Sequence, residues 1–304
     1  MIRPLSALLA LVLVSAASGQ QPRLPDNVNR EVDVVYGKAG DIDLKLDLYL
    51  PKAEAKKPRP VVVWIHGGGW SGGNKSSGAR LADLVSTGDY AGVSVGYRLT
   101  GVAPWPAQIH DCKAAIRWIR ANAKKYNFDP DRIGVWGSSA GGHLVSMLGT
   151  SGDVKDLEGS NGSPGQSTRV RCVVDFCGPS DFLAFVKDNP NMNRDNSPVT
   201  KLLGGLIKDK QDVAKHASPT TYVSKDNPPF LIVHGTQDKT VPLSQAELLH
   251  EALKKAGVDS TFVKMEGGGH GIGGKEITQR VKDFFDKQLL GKDVKVSTDP
   301  IKVQ

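Results

Sequence analysis

The sequence predicts an α/β domain whose mostly parallel sheet carries helices on both faces, and three observations predict it. Short apolar runs such as "VVVWI" (61–65) are continuous rather than alternating, as expected of strands covered on both sides. Amphipathic helical stretches separate successive runs, the alternation that builds a parallel sheet. One segment alone, "IDLKLDLYL" (42–50), alternates apolar and polar residues with period two and marks a half-buried strand near a sheet edge.

In chain order, "MIRPLSALLALVLVSAASGQQ" places one cation, Arg3, before an apolar run over 5–17 and then small residues. That pattern predicts a secretory signal peptide over 1–19, cleaved after Ala17 or Gly19, and a secreted or periplasmic product. The apolar run is shorter than the roughly 20 residues that span a bilayer, so the mature form is expected to carry no membrane segment. Residues 20–30 form a polar lead-in, and "EVDVVYG" (31–37) pairs with 42–50 as an antiparallel hairpin. Pro51 and "KAEAKKPRP" make an exposed turn. Buried strands follow at 61–65, 91–97, 132–137, 170–178, 229–235 and 260–265, with helical patterns at 107–126, 141–148, 243–256 and 275–290. "DPDRI" (129–133) reads as the turn from one helix into the next strand. Two stretches break the alternation. Residues 151–168, rich in Gly, Ser and Asp, read as a mobile surface loop. Residues 181–227 read as an insertion of short helices, placed to cover a ligand site at the carboxyl end of the sheet. The whole reads as one domain over 20–304, with a core of about 31–290 and a tail at 291–304.

Composition agrees with an ordinary globular protein: 39% hydrophobic and 23% charged over 304 residues. The net charge of +7 becomes +6 once Arg3 is removed. The lysines are scattered, so nothing localises an acidic-polymer site and no nucleic-acid module is expected. Three cysteines are too few for a disulfide scaffold. Cys172 and Cys177 would lie about 16 Å apart on an extended chain; only a turn between them would permit a bridge, and buried free thiols are the default. No histidine spacing suggests a metal site.

The chemistry centres on "GVWGSSAGGHL" (134–144). Gly137 to Gly141 match G-x-S-x-G in the register that singles out Ser139, between a strand and a helix. A strand turning that sharply strains its corner residue and needs small neighbours, and the corner side chain stands exposed above the sheet. A serine hydroxyl needs a base oriented by an acid. Asp238 in "FLIVHGTQDKTVP" and His270 in "FVKMEGGGHGIGG" follow later strands in the required order. Asp181 in "GPSDF" is the competing acid. "HGGGW" (66–70) after the first buried strand is the expected oxyanion loop, through the N–H groups of Gly68 and Gly69 with that of Ala140. His66 and His234 are expected to brace loops and His143 to pack. Trp70, Trp105 and Phe182 either line an acyl or sugar pocket or belong to the core.

With "HGGGW", "GSSAGGHL", "HGTQDKTVP" and "GGGHG" in order, the chain resembles the α/β-hydrolase superfamily, among its hormone-sensitive-lipase-like esterases. It looks most like the bifunctional feruloyl and acetyl-xylan esterase (BD-FAE-like) family, over about 31–290. "VGYRLTGVAPWPAQIHDCKAAIRWIR", "FDPDRIGVWG", "FCGPSDF" and "SPTTYVSKDNPPFLIVHG" share the likeness. The segment "SGGNKSS" after "HGGGW" departs from the longer lipase form. The resemblance implies an α/β-hydrolase fold that cleaves carboxylic esters through an acyl-enzyme: Ser139 attacks, His270 shuttles the proton, Asp238 holds the imidazole. It implies no cofactor, and as substrate a small ester or an acylated polysaccharide such as xylan. The alternatives are a general short-chain carboxylesterase, a kynurenine-formamidase-like amidase, a serine peptidase, and a non-catalytic binding protein on the same fold.

Overall fold

In the computed structural model, which describes residues 24–152 and 154–303, the apolar runs assemble into one nine-stranded sheet. The strands are β1 (Val28–Ala39), β2 (Ile42–Pro51), β3 (Arg59–Ile65), β4 (Ala91–Val95), β5 (Phe128–Ser138), β6 (Cys172–Phe176), β7 (Phe230–Gly235), β8 (Ser260–Glu266) and β9 (Ile301–Lys302). Their order is β1-β2-β4-β3-β5-β6-β7-β8-β9. Only the β1/β2 and β2/β4 pairings are antiparallel, so the period-two segment sits beside the edge of an otherwise parallel sheet. The proposed signal peptide lies outside the described residues.

Helices cover both faces, and the strands divide their side chains between them. Val61, Val63 and Ile65 of β3 join one core layer with Ile109, Leu144 and Leu249, from α2 (Ala107–Ala121), α4 (Ala140–Thr150) and α8 (Ser244–Lys255). Val62 and Trp64 join the other with Leu81, Val281 and Phe284, from α1 (Leu81–Ser86) and α9 (Lys275–Leu290). Both sides of the strand are buried, which is why its sequence shows no alternation. The short α3 (Ala123–Tyr126) continues α2 and ends at Asn127, in the left-handed region at φ 54°.

Four features differ from the sequence reading. "DPDRI" is a bulge inside β5 rather than a turn before it: the register with β3 jumps from Arg59–Phe128 to Val61–Ile133, and Asp129 accepts from the Asp131 N–H. A 3-10 turn at Lys75–Arg80 and α1 fill the connection after β3, which shows no apolar periodicity long enough to announce a helix. The tail at 291–304 supplies β9 at the sheet edge, where Ile301 pairs with Met265. The segment at 151–168 is pinned rather than loose. Lys113, fully buried on α2, donates to the Ser151 carbonyl (2.5 Å) and to Glu158 (2.7 Å). Glu158 also accepts from Arg117 and Thr168, while Leu157 is buried beneath it. A buried ammonium demands a paired carboxylate, and the loop supplies it.

The insertion at 181–227 contains α5 (Phe182–Asp188), α6 (Pro198–Leu203) and α7 (Gln211–His216). Phe182, Phe185, Leu202 and Ala214 are buried in the same core layer as α2 and α4. The insertion is bolted to the body by the Trp105 N–H to the Leu202 carbonyl (2.9 Å) and by Trp105 Nε1 to His216 Nδ1 (2.8 Å).

Candidate active site

At the carboxyl end of β5 the chain turns through Ser138 and Ser139 straight into α4. Ser139 has φ 57° and ψ −121°, a conformation that costs a non-glycine residue about 1–3 kcal/mol. Hydrogen bonds hold it there: its N–H donates to the Phe176 carbonyl (2.7 Å), and its own carbonyl accepts from the His143 N–H (3.0 Å). The flanking glycines are required by space. A Cβ on Gly137 would lie 2.3 Å from the Gly141 carbonyl oxygen, and one on Gly141 would lie 2.1 Å from that of Ile65. The Ser139 side chain makes no capping bond to its helix, so its hydroxyl is free to point elsewhere.

It points at His270. Ser139 Oγ lies 2.9 Å from His270 Nε2, and His270 Nδ1 lies 2.7 Å from Asp238 Oδ2. The Thr240 and Val241 N–H groups donate to Oδ1 of Asp238 (2.8 and 3.0 Å), which leaves Oδ2 for the imidazole. Burial alone would raise the Asp238 carboxyl, but hydrogen bonds from His234, His270 and Val241 outweigh it and hold the group well below the usual carboxylate range. For His270 the balance runs the other way. Burial disfavours the imidazolium, but Asp238 and the Cys177 sulfur favour it more, so the imidazole titrates above its usual value. A carboxylate on Nδ1 fixes that proton and leaves Nε2 as the acceptor of the serine proton. Asp181 stands outside this chain and caps α5, accepting from the Ala184 N–H (3.0 Å). Ser138 Oγ contacts the Cys177 sulfur (3.9 Å) instead of a base.

The "HGGGW" loop folds against this corner. A Cβ on Gly67 would be 3.3 Å from that of Ser139, and Gly68 and Gly69 take φ of 107° and 58°. The Gly68 carbonyl accepts from Ser71 and Gly72, while the Gly68 and Gly69 N–H groups donate to no acceptor among the described residues. Ala140 is the first residue of α4, where an N–H has no intrahelical partner. His66 braces the loop, its Nδ1 at 2.7 Å from the Gly67 carbonyl and its ring stacked on Tyr97. His234 spans the acid loop, with Nε2 at 2.8 Å from the Val241 carbonyl.

Ser139 and His270 open into a cavity of about 530 Å³. Of the three aromatic candidates, Trp70 lines it, whereas Trp105 and Phe182 lie behind the wall, buried in the core. They enclose His143, with Trp105 and Phe182 ring centroids 5.5 and 5.2 Å from the imidazole. His143 Nδ1 accepts from Trp70 Nε1 (3.1 Å) and Nε2 donates to the Ala217 carbonyl (2.7 Å), so this histidine ties the cavity wall to the insertion. The remaining wall includes Phe185, Met192, Pro198, Val241, Trp64, Ser77 and Arg80. None of these had a spacing that announced it; the fold brings them together across long sequence separations. From the sequence, Cys177 offers only a possible disulfide partner for Cys172. All three cysteines are buried and free, and Cys177 donates to the His270 carbonyl (3.5 Å). Among the described residues, one group of potential metal ligands converges, Cys177, Asp238 and His270, and the last two are engaged with each other. No helix among the described residues is long and apolar enough to cross a membrane.

The chain is similar to known esterases. The BD-FAE family model matches residues 46–253. A solved carbohydrate esterase from gut microbiota, in truncated form, is 34% identical with a TM-score of 0.78, covering 86% of this chain and 96% of its own. A bifunctional GH43-CE protein of Bacteroides eggerthii is 37% identical with a TM-score of 0.77, covering 86% of this chain and 35% of its own. Esterase LipC of Mycobacterium tuberculosis is 30% identical over 79% of this chain and 59% of its own. The chain spans about half to three fifths of the length of such curated relatives.

Proposed function

The chain belongs to the BD-FAE family of α/β-hydrolase esterases, and we propose that it is an exported serine carboxylic-ester hydrolase that removes acetyl or feruloyl groups from polysaccharide such as xylan. The observation that carries the reading is the unbroken hydrogen-bond chain from Asp238 through His270 to the strained Ser139.

In this reading Ser139 Oγ attacks the ester carbonyl as its proton passes to His270 Nε2. The negative charge that develops on the carbonyl oxygen is met by the N–H groups of Gly68, Gly69 and Ala140. Such donors are already fixed and pay no reorganisation cost at the moment of reaction. Collapse of the tetrahedral intermediate breaks the bond to the alcohol oxygen, which takes the proton from His270 and leaves. Water then attacks the acyl-enzyme with His270 as base again, which releases the carboxylic acid and restores the serine. Asp238 stays ionised throughout and stabilises the imidazolium in each half-reaction.

The polysaccharide substrate is supported by the family and by the carbohydrate esterases among the structural neighbours; export is supported by the leader pattern of residues 1–19. A second reading, a general short-chain carboxylesterase, is favoured by the apolar wall of Phe185, Met192 and Val241. Acetate and ferulate release from acetylated xylan and arabinoxylan, beside p-nitrophenyl esters of rising chain length, separates the two. Release from polymer that Ser139→Ala abolishes is the expected result. Hydrolysis of small esters alone would overturn the polysaccharide reading and leave the carboxylesterase.

A further inference from the structure

Arg80 is the only residue with a permanent charge among those that line the catalytic cavity, and no Asp or Glu lines it. Two guanidinium groups elsewhere on the sheet are ion-paired, Arg98 with Asp111 at 2.7 Å and Arg30 with Asp47 at 2.7 Å, while Arg59 and Arg120 donate to backbone carbonyls. Arg80 has no ion pair or hydrogen bond among the described residues. Asp83 shares a neighbouring pocket with it but does not pair with it, and Lys282 on α9, which lines that pocket too, is already paired with Asp286 (2.6 Å).

The guanidinium is nevertheless held in place. Its Cζ lies 4.2 Å from the centroid of the Trp64 ring and 5.5 Å from that of Trp136. Trp64 is itself fixed, edge-on to Trp136 at 5.2 Å and donating from Nε1 to Ser77 Oγ (2.9 Å). A guanidinium stacked on an indole keeps its in-plane N–H groups outside the stack, where they can meet a carboxylate in a two-pronged contact. Arg80 remains open to solvent on one side; packing against the rings lowers its pKa from the ordinary arginine value.

We propose that Arg80, held over Trp64 in the wall of the catalytic cavity, is an anion-recognition residue that selects esters carrying a carboxylate. The inference rests on the esterase reading above and narrows its substrate class: an acylated sugar chain bearing uronic-acid carboxylates fits the cavity better than a neutral one. Ser77 Oγ accepts from Trp64 and donates to the Asn74 carbonyl (3.1 Å), so it braces the indole beneath Arg80 and leaves the carboxylate to the guanidinium.

The test compares matched ester pairs in the wild type and in Arg80→Gln. The first pair puts the charge on the alcohol half, 4-acetoxybenzoate against 4-acetoxybenzamide. The second puts it on the acyl half, 4-nitrophenyl hydrogen glutarate against 4-nitrophenyl valerate. The expected result is a fall of about tenfold in the anionic-to-neutral ratio of kcat/KM for one pair. High salt should weaken the wild-type preference and leave Arg80→Gln unmoved. The pair that responds identifies the half of the substrate facing Arg80. Unchanged ratios in both pairs, or equal losses on anionic and neutral esters, overturn the proposal. Hydrolysis of the neutral esters, and its loss in Ser139→Ala, report on the esterase reading separately.

Discussion

His143 makes the acid stability of this fold predictable. Its side chain is fully buried, ringed by Trp70, Trp105 and Phe182. The Nδ1 atom accepts from Trp70 Nε1 and Nε2 donates to the Ala217 carbonyl, so the neutral ring fits its partners and the protonated ring does not. A proton on Nδ1 would face the Trp70 N–H, donor against donor. Burial therefore holds the imidazole down at about 4, against an ordinary value of 6.5. Because the unfolded chain takes up this proton first, stability is complete above pH 6.5 and is lost as the pH falls through the native value. At about 1.4 kcal/mol per pH unit, the loss from this one residue is about 3 kcal/mol between pH 6.5 and 4. Urea unfolding of the wild type and of His143→Gln over that range isolates it, since every other titrating group is common to both. The variant will be less stable at neutral pH, so the readout is the slope. Parallel pH dependences in the two proteins would refute the assigned tautomer and its burial cost.

Further outcomes follow from the same geometry. Ser139→Ala should lower kcat on p-nitrophenyl acetate by about 10⁴-fold or more with little change in KM, as steady-state kinetics will read. The acid limb of kcat/KM should lie above pH 6.5, because His270 must be neutral to accept the serine proton and its net shift is upward; a limb at or below 6.5 contradicts the Asp238 and Cys177 contribution. Gly141→Ala should destabilise the fold by about 3 kcal/mol or more in denaturant melts, because its Cβ would sit inside the Ile65 carbonyl. Gly257→Ala, strained by φ 81° but facing open space, should cost only about 1 kcal/mol. Thiol titration should find no reactive cysteine in the native protein and three in denaturant.

The parts of this fold that were legible in the sequence are those whose physics is local. Buried parallel strands are short apolar runs, and β3, β6 and β7 could be read off as such. The corner at Ser139 needs glycines at fixed offsets because of backbone clashes within a few residues, so it too was written locally. Asp238 and His270 were legible because each follows a strand in the order the corner requires. What escaped depends on contacts between distant segments. Glu158 looked like one more charge in a polar loop, yet it answers Lys113, 45 residues earlier and wholly buried. Trp70 and Trp105 are alike as residues, and only the packing around His143 puts one in the cavity and the other behind it. The β9 strand is two residues that gain their structure from β8. Arg80 lies in a stretch of Ser and Gly with no periodicity, and its place over Trp64 is set by the turn that precedes α1.

The central claim is that Ser139 carries the acyl group, and trapping that group tests it most directly. The protein is mixed with p-nitrophenyl acetate, quenched in acid within the first turnover, digested and sequenced by mass spectrometry. An acetyl group on Ser139, absent from Ser139→Ala and accumulating in His270→Ala only slowly, is the predicted result. Rapid turnover with the acetyl group on Ser138, or with no acylated residue while Ser139→Ala retains activity, would contradict the account.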